Sequence, residues 1–227
     1  MCRRSFPLLV IAILVGISLA GCGALQGGQS GKGEQSGDVL SQADSSSGFE
    51  GWSGVGGWKT LRGQLINDGS NTDANVWTKA PSQLGNTADY AVEADMQVVS
   101  IADPQFDSFG IVVRGGESTS ASTSASSQVA GYKAGIDGET GYVGGPLESA
   151  RITRMPDPYD PIAKATFDPG KGWHLYRVEA EGNTIRFLID GAVIAKGVDN
   201  KYLSGGQVGL WSKGVQLNVR SFKVLRL

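Results

Sequence analysis

Glu93, Asp95 and Gln97 alternate with Ala94 and Met96 inside the segment Ala88–Ser100. Successive side chains of a strand point to opposite faces, so these three would share one face. Two neighbouring carboxylates suit the nucleophile and its helper in a retaining glycosidase. Such an enzyme also needs an acid that gives its proton to the leaving oxygen, and the third residue of this face is an amide, Gln97, followed by Val98. Without it half the machinery is missing. The other reading is a half-exposed strand with its polar residues outward.

Other residues offer recognition rather than bond cleavage. Arg114 ends FGIVVR, and Tyr132 and Lys133 open GYKAGID. A guanidinium presents several donors to hydroxyl groups, and a tyrosine ring can lie on the apolar face of a pyranose. Trp77, Tyr142 and Tyr159 are further stacking candidates, whereas Trp58, Trp173 and Trp211 are expected in the core. Ligand contacts are therefore expected at Arg114, Tyr132, Lys133, Tyr142 and Trp77. His174 is the single histidine, which excludes a histidine-clustered metal site; beside Trp173 it reads as structural. The oxygen-rich stretch Asp68–Asn75 could hold Ca²⁺ through Asp68 and Asp73. It lacks the spacing of an EF-hand loop, and a plain Asx-rich turn is the alternative. No other cofactor is expected.

The two ends of the chain differ sharply. Arg3 and Arg4 precede an apolar run from Phe6 to Ala20, too short for a comfortable membrane span. The run ends Leu19-Ala20-Gly21-Cys22, which looks like a bacterial lipobox. Small residues there let a peptidase approach, and the Cys22 thiol takes a diacylglyceryl group. Residues 1–21 are thus expected to be a lipoprotein signal peptide, and the protein to sit on the bacterial cell envelope, extracytoplasmic and held to the membrane by lipid. The chain has two cysteines. Cys2 would leave with the signal and Cys22 would carry lipid, so no disulfide is expected in the mature domain. The net charge of −2 gives no case for nucleic acid.

Residues 22–47 read as the acylated cysteine and a tether rich in Gly, Ser and Gln, with too little apolar surface to offset ordering entropy. A flexible coil of about 25 residues reaches on the order of 25 to 30 Å.

Residues 48–227 read as one all-β domain. Strands are expected at 58–61, 64–68, 76–78, 88–100, 106–115, 131–136, 141–143, 150–153 and 162–167, and then five more. Glu181-Gly182-Asn183 suits a tight reversal that needs positive φ, Asp190-Gly191 is a strong hairpin signal, and Arg62-Gly63 marks a further hairpin. The low-complexity stretch Glu117–Ser127 and the proline-rich stretch Pro146–Pro161 read as loops.

The run of strands after Phe167, with the opening tryptophan strand, FGIVVRG and GYKAGID before it, resembles a concanavalin A-like, laminin G-like fold. That resemblance implies a two-sheet antiparallel jelly-roll sandwich. The acidic strand invites comparison with family 16 glycoside hydrolases, whose third acid this chain lacks. The chain is more similar to the 3-keto-disaccharide hydrolase-like domains, whose middle strands read GI--R and then GYE-QI-D. Arg114 and Tyr132 match that pattern. Lys133 stands at its acidic position and Gly135 at its amide position. The resemblance therefore implies a carbohydrate or cell-envelope glycan as ligand, held by a lectin-like module. The alternatives are a glycoside hydrolase acting on 3-keto-disaccharides or related sugars, and an adhesion or scaffold module with a protein partner. An acid pair across a groove would favour the enzyme, and a flat apolar patch the protein partner.

Overall fold

The computed structural model describes residues 37–52, 57–70, 76–84, 89–117, 129–138, 148–156 and 160–227. The compact unit runs from Ser36 to Leu227. Its described strands are β1 (Val39–Asp44), β2 (Trp58–Leu61), β3 (Gln64–Asp68), β4 (Val76–Gln83), β5 (Tyr90–Ile101), β6 (Ser108–Glu117), β7 (Val129–Asp137), β8 (Ser149–Met155), β9 (Pro161–Thr166), β10 (Trp173–Glu181), β11 (Thr184–Ile189), β12 (Ala192–Val198), β13 (Gln207–Lys213) and β14 (Val215–Arg226). The described residues contain no helix.

All pairings are antiparallel and form two sheets. The eight-stranded sheet runs β12-β11-β10-β5-β14-β3-β2, with β1 also on β14; the six-stranded sheet runs β4-β13-β6-β7-β8-β9. This is the expected jelly-roll sandwich, with the core between the two sheets.

Alternation builds that core. Tyr90, Val92, Ala94, Met96 and Val98 of β5 face inward, as do Tyr176, Val178 and Ala180 of β10 and Ile185, Phe187 and Ile189 of β11. From the six-stranded sheet come Phe109, Ile111 and Val113 of β6, Tyr132, Ala134 and Ile136 of β7, Ala150 and Ile152 of β8, and Val208 and Leu210 of β13. A bulge between Val219 and Ser221 shifts the inward parity of β14 from Leu217 and Val219 to Phe222 and Val224.

The hairpin signals match the backbone. Asp190 and Gly191 both take positive φ, at 51° and 82°, and so do Arg62 and Gly63, at 53° and 75°. Two successive positive φ values give the turn twist that fits paired strands.

One boundary needs correction. Residues 39–44 fall in the stretch expected as tether, yet they form β1, whose Ala43 pairs with Phe222. Val39, Leu40 and Ala43 make half of VLSQAD apolar, Leu40 and Ala43 pack on the core, and the strand fills the edge of β14 beyond β3. Trp173 also departs from expectation: it is half-buried on the outer face of the eight-stranded sheet, with Arg220 Cζ 4.5 Å from its ring centre.

Candidate functional site

The acidic strand lies on the outer face of the eight-stranded sheet, and arginines claim its carboxylates. Arg177 Nη1 donates to Glu93 Oε1 at 2.5 Å and its Nε to Glu179 at 2.9 Å. Arg186 continues the ladder to Glu179 and Glu181, at 3.1 and 2.9 Å. Arg220 holds Asp95 at 2.6 Å, and Gln97 bonds the Lys171 carbonyl and the Asn218 amide. These are cross-strand charge pairs on a solvated face, the outward-polar reading of this strand.

His174 is a brace. Its Nδ1 lies 2.6 Å from Asp190 Oδ2 and its Nε2 lies 3.1 Å from the Pro169 carbonyl. Asp190 also accepts the Leu175 amide, so the pair ties the β11–β12 turn back to β10.

The expectation for Arg114 and Tyr132 is corrected. Arg114 is only 3 % exposed. It sits at a bulge where the β6–β7 register shifts, and it takes φ 51°, a left-handed conformation that costs a side-chain-bearing residue roughly 1–2 kcal/mol. The bulge breaks the alternation that would have carried Arg114 outward. Its Nη1 instead donates to the Gly182 and Tyr202 carbonyls, at 2.7 and 3.0 Å, and its amide donates to Tyr90 Oη at 2.7 Å. Tyr132 belongs to the core; its hydroxyl donates to Asp199 Oδ1 at 2.6 Å and accepts the Tyr202 amide at 3.0 Å. Arg154 pairs with the same aspartate. These groups latch the segment from Asp199 to Gly205 across one end of the sandwich. Neither Arg114 nor Tyr132 presents itself to a ligand.

Lys133, next to Tyr132 in the strand, points the other way. It stands on the outer face of the six-stranded sheet, where no described strand packs. Three rows of side chains cross that face. One runs Lys213, Ser108, Asp137, Ser149, Thr166. The next runs Trp211, Gly110, Gly135, Arg151, Lys164. The third holds Gly209, Val112, Lys133 and Thr153. Lys133 Nζ makes an ion pair with Asp137 and lies 5.6 Å from the Trp211 ring centre. Trp211 Nε1 donates to Ser108 Oγ at 3.1 Å, and Arg151 Nε donates to Ser149 Oγ at 2.7 Å. Trp211 packs with Val112 and Met155 in a small apolar cluster apart from the main core. The sequence reading missed Trp211, Asp137 and Arg151. The odd-numbered alternation of β7 (133, 135, 137) opposite its core residues (132, 134, 136) was the signal that could have found Asp137.

At one rim of this face lies Asp107. Burial pushes its carboxyl above the ordinary carboxylate range, although the Asp103 and Ala102 amides work against the shift.

Trp77 pairs in register with Trp211. Tyr142 and Asp73 lie outside the described residues, as does Cys22. Asp68 ends β3. Hydrogen bonds from the Ser70 side chain and amide hold its carboxyl below the ordinary range, with Lys59 Nζ 3.6 Å away. Its oxygens are thus engaged by a turn and a cation, and no cluster of three or more His, Cys, Asp or Glu able to hold a metal occurs among the described residues.

The fold has relatives among solved structures. A galectin-like protein of unknown function from Bacillus subtilis superposes with a TM-score of 0.64 at 13 % identity, covering 85 % of this chain and 97 % of its own. The carbohydrate-binding module CBM66 from Bacillus subtilis gives 0.57 at 16 % identity, covering 77 % and 95 %. The exoplasmic/lumenal domain of VIP36, in a form bound to Ca²⁺ and Man3GlcNAc, gives 0.56 at 12 % identity, covering 78 % and 83 %. At such identities the likeness is one of fold. No curated protein matches the chain. Residues 42–225 match the family described as the 3-keto-alpha-glucoside-1,2-lyase-like domain, and with nearly the whole sandwich inside that match the chain belongs to this family.

Proposed function

We propose that the domain binds carbohydrate on the outer face of the six-stranded sheet, and that acylation of Cys22 holds it on the extracytoplasmic side of a bacterial envelope. The observation that carries the reading is the polar cluster around Trp211. Lys133, Asp137, Ser108, Ser149 and Arg151 supply donors and acceptors at fixed positions on the face of the sheet turned away from the main core, Arg151 half-buried and the others buried. Sugar recognition needs such fixed polar groups, since each hydroxyl both donates and accepts. The sugar-binding neighbours in the same fold class support the reading.

A glycan array on the purified protein, followed by amide chemical-shift mapping with the ligand found, tests it. The expected shifts fall on Gly110, Gly135, Arg151 and Trp211. Shifts confined to the eight-stranded sheet, or an array without binding, would overturn the reading.

Lyase activity on a 3-keto-alpha-glucoside is the second reading, and the family match favours it. Against it stand Lys133 and Gly135, at the two places where the pattern given above has an acid and an amide. Both lie on the outer face just described, so the departures fall inside the candidate site. Incubation with a 3-keto-alpha-glucoside should release no aglycone; release would move the assignment to the enzyme.

A further inference from the structure

We infer that His174 is a proton-operated clasp. With protons on both ring nitrogens it joins the β9–β10 connection to the β11–β12 turn, and loss of one proton lets the connection go. The inference goes beyond the carbohydrate-binding reading and does not depend on it.

Two acceptors meet one ring. Nδ1 lies 2.6 Å from Asp190 Oδ2, and Nε2 lies 3.1 Å from the Pro169 carbonyl oxygen. An ionised carboxylate and a carbonyl can only accept. A neutral imidazole has one N–H, so it satisfies one of them and turns a lone pair on the other. The imidazolium has two and satisfies both. The ring is not free to turn away. It packs edge-on against the Phe167 and Tyr176 rings, with centres 5.5 and 6.1 Å from its own.

Strength decides which contact fails. The Asp190 contact is the shorter, and its acceptor is charged. The remaining proton therefore stays on Nδ1, and Nε2 faces Pro169 bare. Pro169 is buried, so its carbonyl then loses a donor that it cannot cheaply replace.

The segment at stake spans residues 167–172 and carries the chain from β9 in the six-stranded sheet to β10 in the eight-stranded one. Its ends are held elsewhere: the Phe167 amide donates to the Glu148 carbonyl at 2.8 Å, and the Lys171 carbonyl accepts Gln97 Nε2 at 3.0 Å. Between them the Gly170 amide turns back on Asp168 Oδ1. Pro169 is the point where this middle part meets the His174 ring.

The groups around the ring leave the switching to histidine. Burial works to raise the Asp190 carboxyl, but the bonds from His174 and the Leu175 amide hold it below the ordinary range, so it stays charged near neutrality. Burial, and then the Asp190 charge, push the Tyr176 hydroxyl up, so it stays neutral. From β5 the register partner of His174 is Met96, which does not titrate. Asp168 and Lys171, the charged residues of the connection, are both exposed.

His174 is the single histidine, so its imidazole nitrogen resonances are unambiguous. The test follows them on the detergent-solubilised full chain from about pH 5 to 8, the range in which histidine ordinarily changes charge. Both nitrogens should carry protons at the acid end, and Nε2 should be the one that becomes bare. The Pro169 carbonyl carbon should shift in the same transition. Backbone order parameters of Gly170, Lys171 and Gly172 should fall with it, from about 0.85 towards about 0.6. His174→Gln, whose side chain does not titrate, should abolish the pH response of the connection while leaving the near-ultraviolet circular dichroism unchanged. A ring that keeps one form throughout the scan overturns the inference. So does a bare Nδ1, a ring that titrates while Pro169 and the connection stay unchanged, or a response that survives His174→Gln.

Discussion

Lys133 lies along its own strand and meets Asp137 four residues further on. Gly135 stands between them on the same face, and its missing side chain clears the path for the lysine stem. The pair is buried, with the lysine side chain 3 % and the aspartate 12 % exposed. Each charge therefore depends on the other.

Breaking that pair should be costly. Asp137→Asn leaves a buried ammonium without its counter-charge and should destabilise the domain by about 3 kcal/mol or more. Lys133→Met combined with Asp137→Leu removes both charges and should recover most of the loss. Urea unfolding of the two variants checks this, and equal losses would refute the pairwise account.

The end latch predicts a split between stability and binding. Tyr132→Phe removes the bond to Asp199, which keeps the Lys201 amide and Arg154, and takes from the Tyr202 amide its acceptor. The expected loss is about 1–3 kcal/mol of stability. Sugar affinity should be unchanged, since the ring is in the core. A weakened glycan complex with intact stability would restore Tyr132 to the binding site.

Asp190 sets a pH dependence. Burial works to raise its carboxyl, but hydrogen bonds from His174 and the Leu175 amide outweigh it and hold the group below its ordinary value of 3.8. A carboxyl depressed on folding stabilises the folded state above its unfolded value and loses that contribution as pH falls through the folded one. Thermal melts should therefore show an Asp190-dependent loss setting in below about pH 4. Asp190→Asn should flatten that part of the acid limb. An unchanged acid limb in Asp190→Asn would show that the brace carries no proton linkage.

Anchoring is checked by detergent phase partition. The native chain should enter the detergent phase and Cys22→Ser should remain aqueous or unprocessed. A native protein found wholly in the aqueous phase would remove the lipid from the proposal.

Much of the sandwich was legible because its strands obey period two and its turns carry their own chemistry. The inward sets of β5 and β10 and the Asp190-Gly191 reversal follow from local rules. Arg114 did not, since a bulge with positive φ has no signature in FGIVVRG and depends on how β6 meets β7. β1 did not either, because its short apolar set, Val39, Leu40 and Ala43, lies inside a stretch otherwise dominated by Gly, Ser and Gln, and its partner is the far end of the chain. Tyr132 and Lys133 were set in one site although adjacent strand residues face apart, so that error lay in the reading and not in the sequence. Trp211 is buried, as expected of a core residue, but in the small cluster with Val112 and Met155 on the far side of the sheet, where its register with Gly110 puts it.

β1 also has a mechanical meaning. The Asp38 carbonyl accepts the Arg226 amide at 2.9 Å, and the pairing continues from Val39 to Asp44 against Leu225 to Ser221. Any force transmitted through the chain before Gly37 along this strand loads those hydrogen bonds side by side, in shear, rather than peeling them one after another. The sandwich would resist such a pull through its entry strand as a set, and the last strand of the chain would share the tension with the first.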